Sequence, residues 1–297
     1  MADNVTTAAE TNVITTSDMV RAREIDLVNQ FQHNSLSKFI QALGVTRKIA
    51  QPAGTTLYTY ATTGTMESGL VPEGEIIPLS HYARTKNPIG EIVLKKWRKA
   101  TTAEAIQKSG RAEAIAETDK ALISDIQKGI RSDFFTNLAT FATAGTAASG
   151  ADLKDCLAHC WGKLQVLFED DTAQSVYFIN PEDAADYLGT AALTTQTAFG
   201  LNYVENFLGL GTVFITSRVA KGTVIATAKD NLILYYISMN GGDLPTEFNL
   251  TADQLGYIGV TSFITNERAQ SEIMAMSGLQ FLVEYANGVV KGTITGA

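Results

Sequence analysis

Cysteine and histidine are scarce in this chain, and each scarcity closes a class of function. Among 297 residues there are two cysteines, Cys156 and Cys160, one helical turn apart. No disulfide framework and no four-thiolate zinc set can be built from them, and a reducing compartment is expected. The three histidines, His33, His81 and His159, are far apart, and none has a companion at His-x-x-x-His spacing. Cations are the minority charge, 23 Lys plus Arg against 31 Asp plus Glu, and the net charge of −8 disfavours a general nucleic-acid binder. The longest apolar runs, such as residues 232–237, fall well short of the roughly 20 residues a membrane-spanning helix needs, so a soluble chain without membrane contact is expected. Residues 1–16 carry only Asp3 and Glu10 as charges and have no basic start before an apolar stretch, so no secretory leader is expected.

Catalytic signatures are missing as well. There is no Gly-x-x-x-x-Gly-Lys-Ser/Thr phosphate loop and no Gly-x-Ser-x-Gly nucleophile elbow. Gly209-Leu210-Gly211 lacks the third glycine of a dinucleotide fingerprint and precedes a strand where it should follow one. Cys156, His159 and Cys160 are metal-ligand types but share one helical turn with no fourth partner, so core packing is their expected role. Glu169, Asp170 and Asp171 read as a solvated helix end in preference to a cation site. Lys95, Lys96, Arg98 and Lys99 surround Trp97; nucleic-acid contact is one reading, and a subunit contact or solvated strand face is the better one in an acidic chain. No cofactor, metal or catalytic residue is assigned, and the chain is not expected to be an enzyme.

What is present has a definite order. Ser17-Asp18 can cap a helix with apolar positions from Val20 to Leu43, stopped by Gly44 and breakable near His33-Asn34-Ser35. Leu57-Tyr58-Thr59-Tyr60 and Glu91-Ile92-Val93-Leu94 read as two long strands joined through a stretch rich in glycine and proline. Such a hairpin has little to bury at its tip within one subunit and needs a neighbour. Ile115, Leu122, Ile123, Ile126, Ile130, Phe134, Leu138 and Phe141 recur mostly at steps of three and four, the stripe of a helix of roughly 40 Å. Gly110 marks a break before it, and Gly129 within it is either a close-packing site or a bending point. Beyond a domain boundary near Gly150, helix alternates with strand: a helix capped by Asp152, the strand Val176-Tyr177-Phe178-Ile179, a short helix opened by Pro181, and a loose stretch at 190–207 that is a candidate functional loop. Strands follow at 212–216, 223–227 and 232–237, with Lys221-Gly222 and Asp230-Asn231 as turns, and Asn287-Gly288 signals a final hairpin.

This order resembles the major capsid protein of tailed double-stranded DNA phages, whose fold is shared with encapsulins and the herpesvirus capsid floor. The residues that carry the resemblance are Leu70-Val71-Pro72-Glu73-Gly74-Glu75-Ile76-Ile77-Pro78, similar to the family's pattern in its extended loop. Ile92-Val93-Leu94-Lys95-Lys96 then resembles that loop's return strand, and the helix through Leu122 to Phe141 the spine helix. Leu208-Gly209-Leu210-Gly211-Thr212-Val213 and Val219-Ala220-Lys221-Gly222-Thr223 are similar to a run in the axial domain.

The resemblance implies an α+β capsid fold in five parts. These are an N-terminal arm at 1–50, an extended loop at 51–100, a spine helix at 101–149, an axial domain at 150–240 and return strands of a peripheral domain at 241–297. It further implies self-assembly as pentamers and hexamers into an icosahedral shell around phage DNA, formed in the bacterial host's cytoplasm and found in the virion. A portal protein and a separate scaffolding protein would be the other partners. Leu70, Val71, Pro72, Glu73, Gly74, Ile76 and Pro78 would lie at a subunit interface, and Gly110 and Gly129 would serve as hinges. An encapsulin compartment is the alternative, with a small-molecule enzyme or binding protein behind it.

Overall fold

The computed structural model describes Ile25, Leu27, Val28 and residues 36–169, 174–188 and 195–296. Most of the expected first helix, its break at His33-Asn34-Ser35, and residues Asp170 and Asp171 lie outside the described residues. The chain forms two compact units. Among the described residues, one takes Lys95–Ser124 and Met239–Ser277 with Ile25, Leu27 and Val28; the other takes 36–94, Asp125–Ser238 and the residues from Gly278 on.

The larger unit is built on a seven-stranded mixed sheet. Thr146–Gly150, Val289–Ile294, Thr223–Ala228, Ser175–Ile179, Gly211–Ile215, Leu201–Phe207 and Gln196–Ala198 lie side by side in that order. Ser175–Ile179 is central and buried along its whole length, as a strand covered on both faces must be, which explains its run of apolar residues. On one face Tyr177 and Ile179 join Val213, Val224, Ala226 and Val290 under the helix Leu153–Leu167, which contributes Leu153, Cys156, Leu157, Cys160 and Leu164. Asp152 caps that helix by accepting from the Asp155 N–H at 2.8 Å, as its sequence predicts.

On the other side the strand's Phe178 meets Phe134, Phe135 and Phe214. Phe39, from the short helix Leu36–Leu43, sits among Phe134, Phe199, Phe214 and Phe281 at 5.6–6.0 Å between ring centres. Phe39 is the member of this helix that joins the aromatic cluster, and Leu36, Ile40, Ala42 and Leu43 are buried beside it. A second, three-stranded sheet joins Arg47–Ala50, Leu232–Tyr236 and Leu279–Val283, and Arg47 forms an ion pair with Glu284 beside it.

In the smaller unit, Thr251–Ala252, Ile258–Thr265, Gln270–Ser277 and Lys95–Thr102 form an antiparallel sheet. The helix Ala103–Arg111 follows, kinked at Gly110 (φ 78°, ψ 157°), a backbone conformation that glycine adopts without strain. A π-helical turn, Ala112–Glu117, leads into the helix Thr118–Ala144, and the stripe from Ile123 to Phe141 is buried as its periodicity predicts. At Gly129 an added Cβ would meet nothing within 4 Å, so the close-packing explanation of that glycine falls away.

Three local expectations are corrected. The second strand of the long hairpin runs over His81–Glu91 and ends where the sequence pattern placed its start. Pro88 sits beside the register shift opposite Leu57/Tyr58, and a two-stranded ribbon has free edges that tolerate its missing N–H. The 190–207 stretch is not loose throughout: Gln196–Ala198 and Leu201–Phe207 pair with each other, while 190–194 lie outside the described residues. Asn287-Gly288 joins no hairpin, because Leu279–Val283 pairs with Leu232–Tyr236 in one sheet and Val289–Ile294 with Thr223–Ala228 in another. Gly288 instead passes close to Asn231 and Phe168, where a side chain would collide.

Candidate assembly surface

The hairpin of Thr56–Thr65 and His81–Glu91 is paired from Thr56 opposite Glu91 to Thr65 opposite His81. Its faces are fastened by Arg84 over the Tyr60 ring at 4.1 Å and Lys86 over the Tyr58 ring at 4.8 Å. At its base the Tyr60 N–H donates to the Glu284 carbonyl at 3.2 Å, and Leu57 and Ile92 are buried. The ribbon is thus anchored at one end only.

The other end, residues 66–80, inverts the usual surface composition. Leu70, Ile76 and Leu79 are 93%, 94% and 93% exposed, and Met66 and Ile77 are 77% and 73% exposed. Isolated apolar side chains are ordinary on a surface, but five large ones within fourteen residues form a patch of the kind that marks an interaction site. Burying one such side chain gives about 1.5–3 kcal/mol, so a partner that covers several gains a substantial driving force. The family-like motif lies in this segment. Glu73 and Gly74 occupy a turn closed by the Glu75 N–H donating to the Pro72 carbonyl at 3.2 Å, and Gly74 at φ 88° supplies the left-handed position of a type II turn.

The basic cluster around Trp97 resolves into a strand with internal partners. Arg98 Nε donates to Glu272 at 2.5 Å, and Lys99 Nζ to Asp119 at 2.5 Å and to the Ile115 carbonyl at 3.2 Å. Glu272, with no exposed surface, also accepts from the Thr265 hydroxyl at 2.8 Å. These hydrogen bonds, Arg98 first, hold its carboxyl below the ordinary value. Two of the cluster's four cations are therefore spent on carboxylates of their own chain.

The remaining candidates have structural roles. Cys156 and Cys160 are buried free thiols, and His159 faces outward 3.3 Å from Asp155. No group of three metal-ligating side chains occurs among the described residues. No helix among the described residues is long and apolar enough to cross a membrane. A Cβ at Gly211 would collide with the Ser175 carbonyl oxygen, so the glycine in Gly209-Leu210-Gly211 serves the close approach of two strands. A cleft of about 980 Å³ in the larger unit is lined by Gln41, Gln165, Gln174, Gln196 and Trp161 among others; neither histidine nor cysteine lines it.

Sequence reasoning missed one arrangement. Phe199 (φ 49°) and Gly200 (φ 70°) form the two-residue turn between Gln196–Ala198 and Leu201–Phe207. Left-handed backbone is costly for a bulky residue, and here Phe199 is 1% exposed, stacks on Phe39 at 5.7 Å, and accepts a hydrogen bond from Arg131 at its carbonyl oxygen. Nothing in a Phe-Gly pair signals this; an Asn-Gly pair would have.

No protein-family model matches the chain, and no curated protein matches it. Solved structures do. The capsid asymmetric unit of cyanophage A-1(L) aligns with a TM-score of 0.61 at 11% identity, covering 89% of this chain and 94% of that one. The holo-SrpI encapsulin complex from Synechococcus elongatus aligns at TM-score 0.53 and 11% identity over 97% and 92%. A virus-like particle from Pyrococcus furiosus aligns at TM-score 0.53 and 12% identity over 92% and 99%. At such identities the likeness establishes the fold, which is the α+β fold of phage capsid proteins and encapsulins that the sequence resemblance implies.

Proposed function

We propose that this chain is the major capsid protein of a tailed phage, assembling as hexamers and pentamers into an icosahedral shell around double-stranded DNA. The observation that carries the reading is the excursion tip: a singly anchored ribbon ends in exposed Leu70, Ile76 and Leu79, a surface that calls for a second copy. Leu70, Val71, Pro72, Glu73, Gly74, Ile76 and Pro78 are the intersubunit contacts. Residues 150–240 form the axial domain around the symmetry axes; the spine helix at 101–149 and the return strands at 241–297 make the peripheral domain. Of the arm at 1–50, Leu36–Leu43 and Arg47–Ala50 belong to the subunit's own larger unit. Gly110 and Gly129 are the bending points as the shell matures. A separate scaffolding protein and a portal protein complete assembly in the host cytoplasm, and the product is the virion capsid. The subunit performs no catalysis.

The net charge of −8 suits a DNA container, because a wall that is not strongly cationic lets the genome leave. Light scattering and electron microscopy of the chain, produced alone and with the product of the gene preceding its own, test the proposal. Closed shells or rings of five and six are expected; a stable monomer in both preparations would overturn it. The encapsulin likeness at TM-score 0.53 favours a second reading, a compartment for cargo enzyme. Purified shells filled with one protein and free of DNA would decide for it.

A further inference from the structure

The excursion tip carries charge as well as apolar surface. Between residues 66 and 80 there are three carboxylates, Glu67, Glu73 and Glu75, and no lysine or arginine. None of the three is ion-paired among the described residues. Glu73 and Glu75 stand on either side of Gly74 in one four-residue turn, so the hairpin ends in two negative charges flanked by Leu70 and Ile76.

The same unit contains the opposite feature. Arg131, on the helix Thr118–Ala144, lies over the Phe199 ring at 5.3 Å and donates to the Phe199 carbonyl. Gly200 leaves it room, since a Cβ there would stand 2.7 Å from its Nη1. Arg218, exposed on the loop after Gly211–Ile215, donates from Nη1 to the Ser132 hydroxyl at 2.9 Å, one residue along the same helix. Both arginines are held by neutral groups, and among the described residues neither forms an ion pair with a carboxylate. Burial first, then the charge of Arg218, keeps the Arg131 pKa below the ordinary arginine value. Two guanidiniums near enough to feel each other's charge, with no ion-paired carboxylate among the described residues, repel each other, and their planar forks fit carboxylates in bidentate fashion.

We propose that the Glu73-Gly74-Glu75 turn of a second copy docks on Arg131 and Arg218, two carboxylates against two guanidiniums. The inference rests on the shell-forming reading and names the seat of its intersubunit contact. Phosphates of enclosed nucleic acid would suit the same forks, but a net charge of −8 and the unmatched carboxylates of the tip favour a copy of this chain.

The test is a charge swap on the full chain, assembled under the conditions in which the unmodified protein forms shells. Arg131 also pins the Phe199 turn, so Arg218 is the receptor residue to change. Arg218→Glu, and separately Glu73→Arg or Glu75→Arg alone, are each expected to lower shell yield roughly tenfold or more, because like charges then face each other across the contact. Combining Arg218→Glu with the one of these two tip substitutions that faces it is expected to recover most of the yield, since Arg131 keeps its own carboxylate, a rescue that a misfolded subunit cannot show. Circular dichroism of each variant verifies that it folds. Folded single-site variants that assemble at the unmodified yield would overturn the proposal, as would failure of both combined variants, Arg218→Glu with Glu73→Arg and Arg218→Glu with Glu75→Arg, to exceed their parents. Shells of Arg218→Glu that form normally but lose nucleic acid would assign the arginines to phosphate instead. Absence of shells from the unmodified chain would remove the shell reading itself, and this inference with it.

Discussion

The α-carbon of Gly292 faces the sulfur of Cys156 so closely that a methyl group placed there would stand 2.6 Å from it. The Cys160 sulfur would be 2.7 Å away, so both thiols pack into the space that this glycine leaves open in the strand Val289–Ile294. Gly292→Ala is expected to destabilise the subunit by about 1–3 kcal/mol, the usual cost of overfilling a packed core. Urea unfolding of the dissociated subunit measures it, and unchanged stability would mean that the helix Leu153–Leu167 can move away freely.

Phe39 is the centre of its aromatic cluster, in contact with four rings and with no exposed surface. Phe39→Ala is expected to cost about 3–5 kcal/mol. Proteolysis should then cut first near the helix Leu36–Leu43, since this ring is the largest of the five side chains that the helix buries.

Acid should weaken the smaller unit through Glu272. Its carboxyl is held below the ordinary value of 4.5, by Arg98 first and Thr265 next. The folded state therefore binds the proton less readily than the unfolded one, and the stabilisation is complete above the unfolded pKa. It fades as pH falls towards the folded pKa and is absent below it. The stability difference between the unmodified chain and Glu272→Gln should follow that course in urea titrations run from neutral pH downward. A difference that stays constant into strong acid would contradict the assignment.

Leu70→Ser combined with Ile76→Ser should leave the isolated subunit's stability within about 0.5 kcal/mol, because both side chains already face water. Shell yield should fall sharply in the same preparation, as sedimentation would register. Equal loss of subunit stability would place these residues in an internal core instead.

Gly129→Ala adds a methyl group that meets nothing within 4 Å and replaces a poor helix former, so the subunit should gain about 1 kcal/mol. A stiffer helix is expected to alter the precursor shell more than the mature one, seen by electron microscopy of both. Unchanged yield and shape of both shells would remove Gly129 from the hinge.

Elements whose residues answer to a single partner were legible from the residues alone. The helix Leu153–Leu167 announced itself through the Asp152 cap and its apolar face, Pro181–Leu188 through its leading proline, and the spine through the recurrence of Ile123, Ile126, Ile130, Phe134 and Leu138. The apolar, acidic excursion motif was equally visible, because residues 66–80 make up their surface from consecutive positions. Strand partnership was not legible. Asn287-Gly288 carries the local chemistry of a hairpin turn, yet the strands on its two sides belong to different sheets, each with partners far away in the chain.

Sequence by itself determined the helices Leu153–Leu167 and Pro181–Leu188, the apolar stripe of the spine helix, and a hairpin whose tip has little to bury within one subunit. Those properties follow from periodicity and composition, which are local. Tertiary structure alone decided that Pro88 sits at a strand irregularity, that Arg98 and Lys99 spend their charge on Glu272 and Asp119, and that Arg131 and Arg218 are held by the Phe199 carbonyl and the Ser132 hydroxyl. Each of these depends on residues 20 to 174 positions apart being brought within hydrogen-bond reach, or on which strands are neighbours. Pairing across such separations is chosen by the packing of whole faces, which no short window of sequence contains.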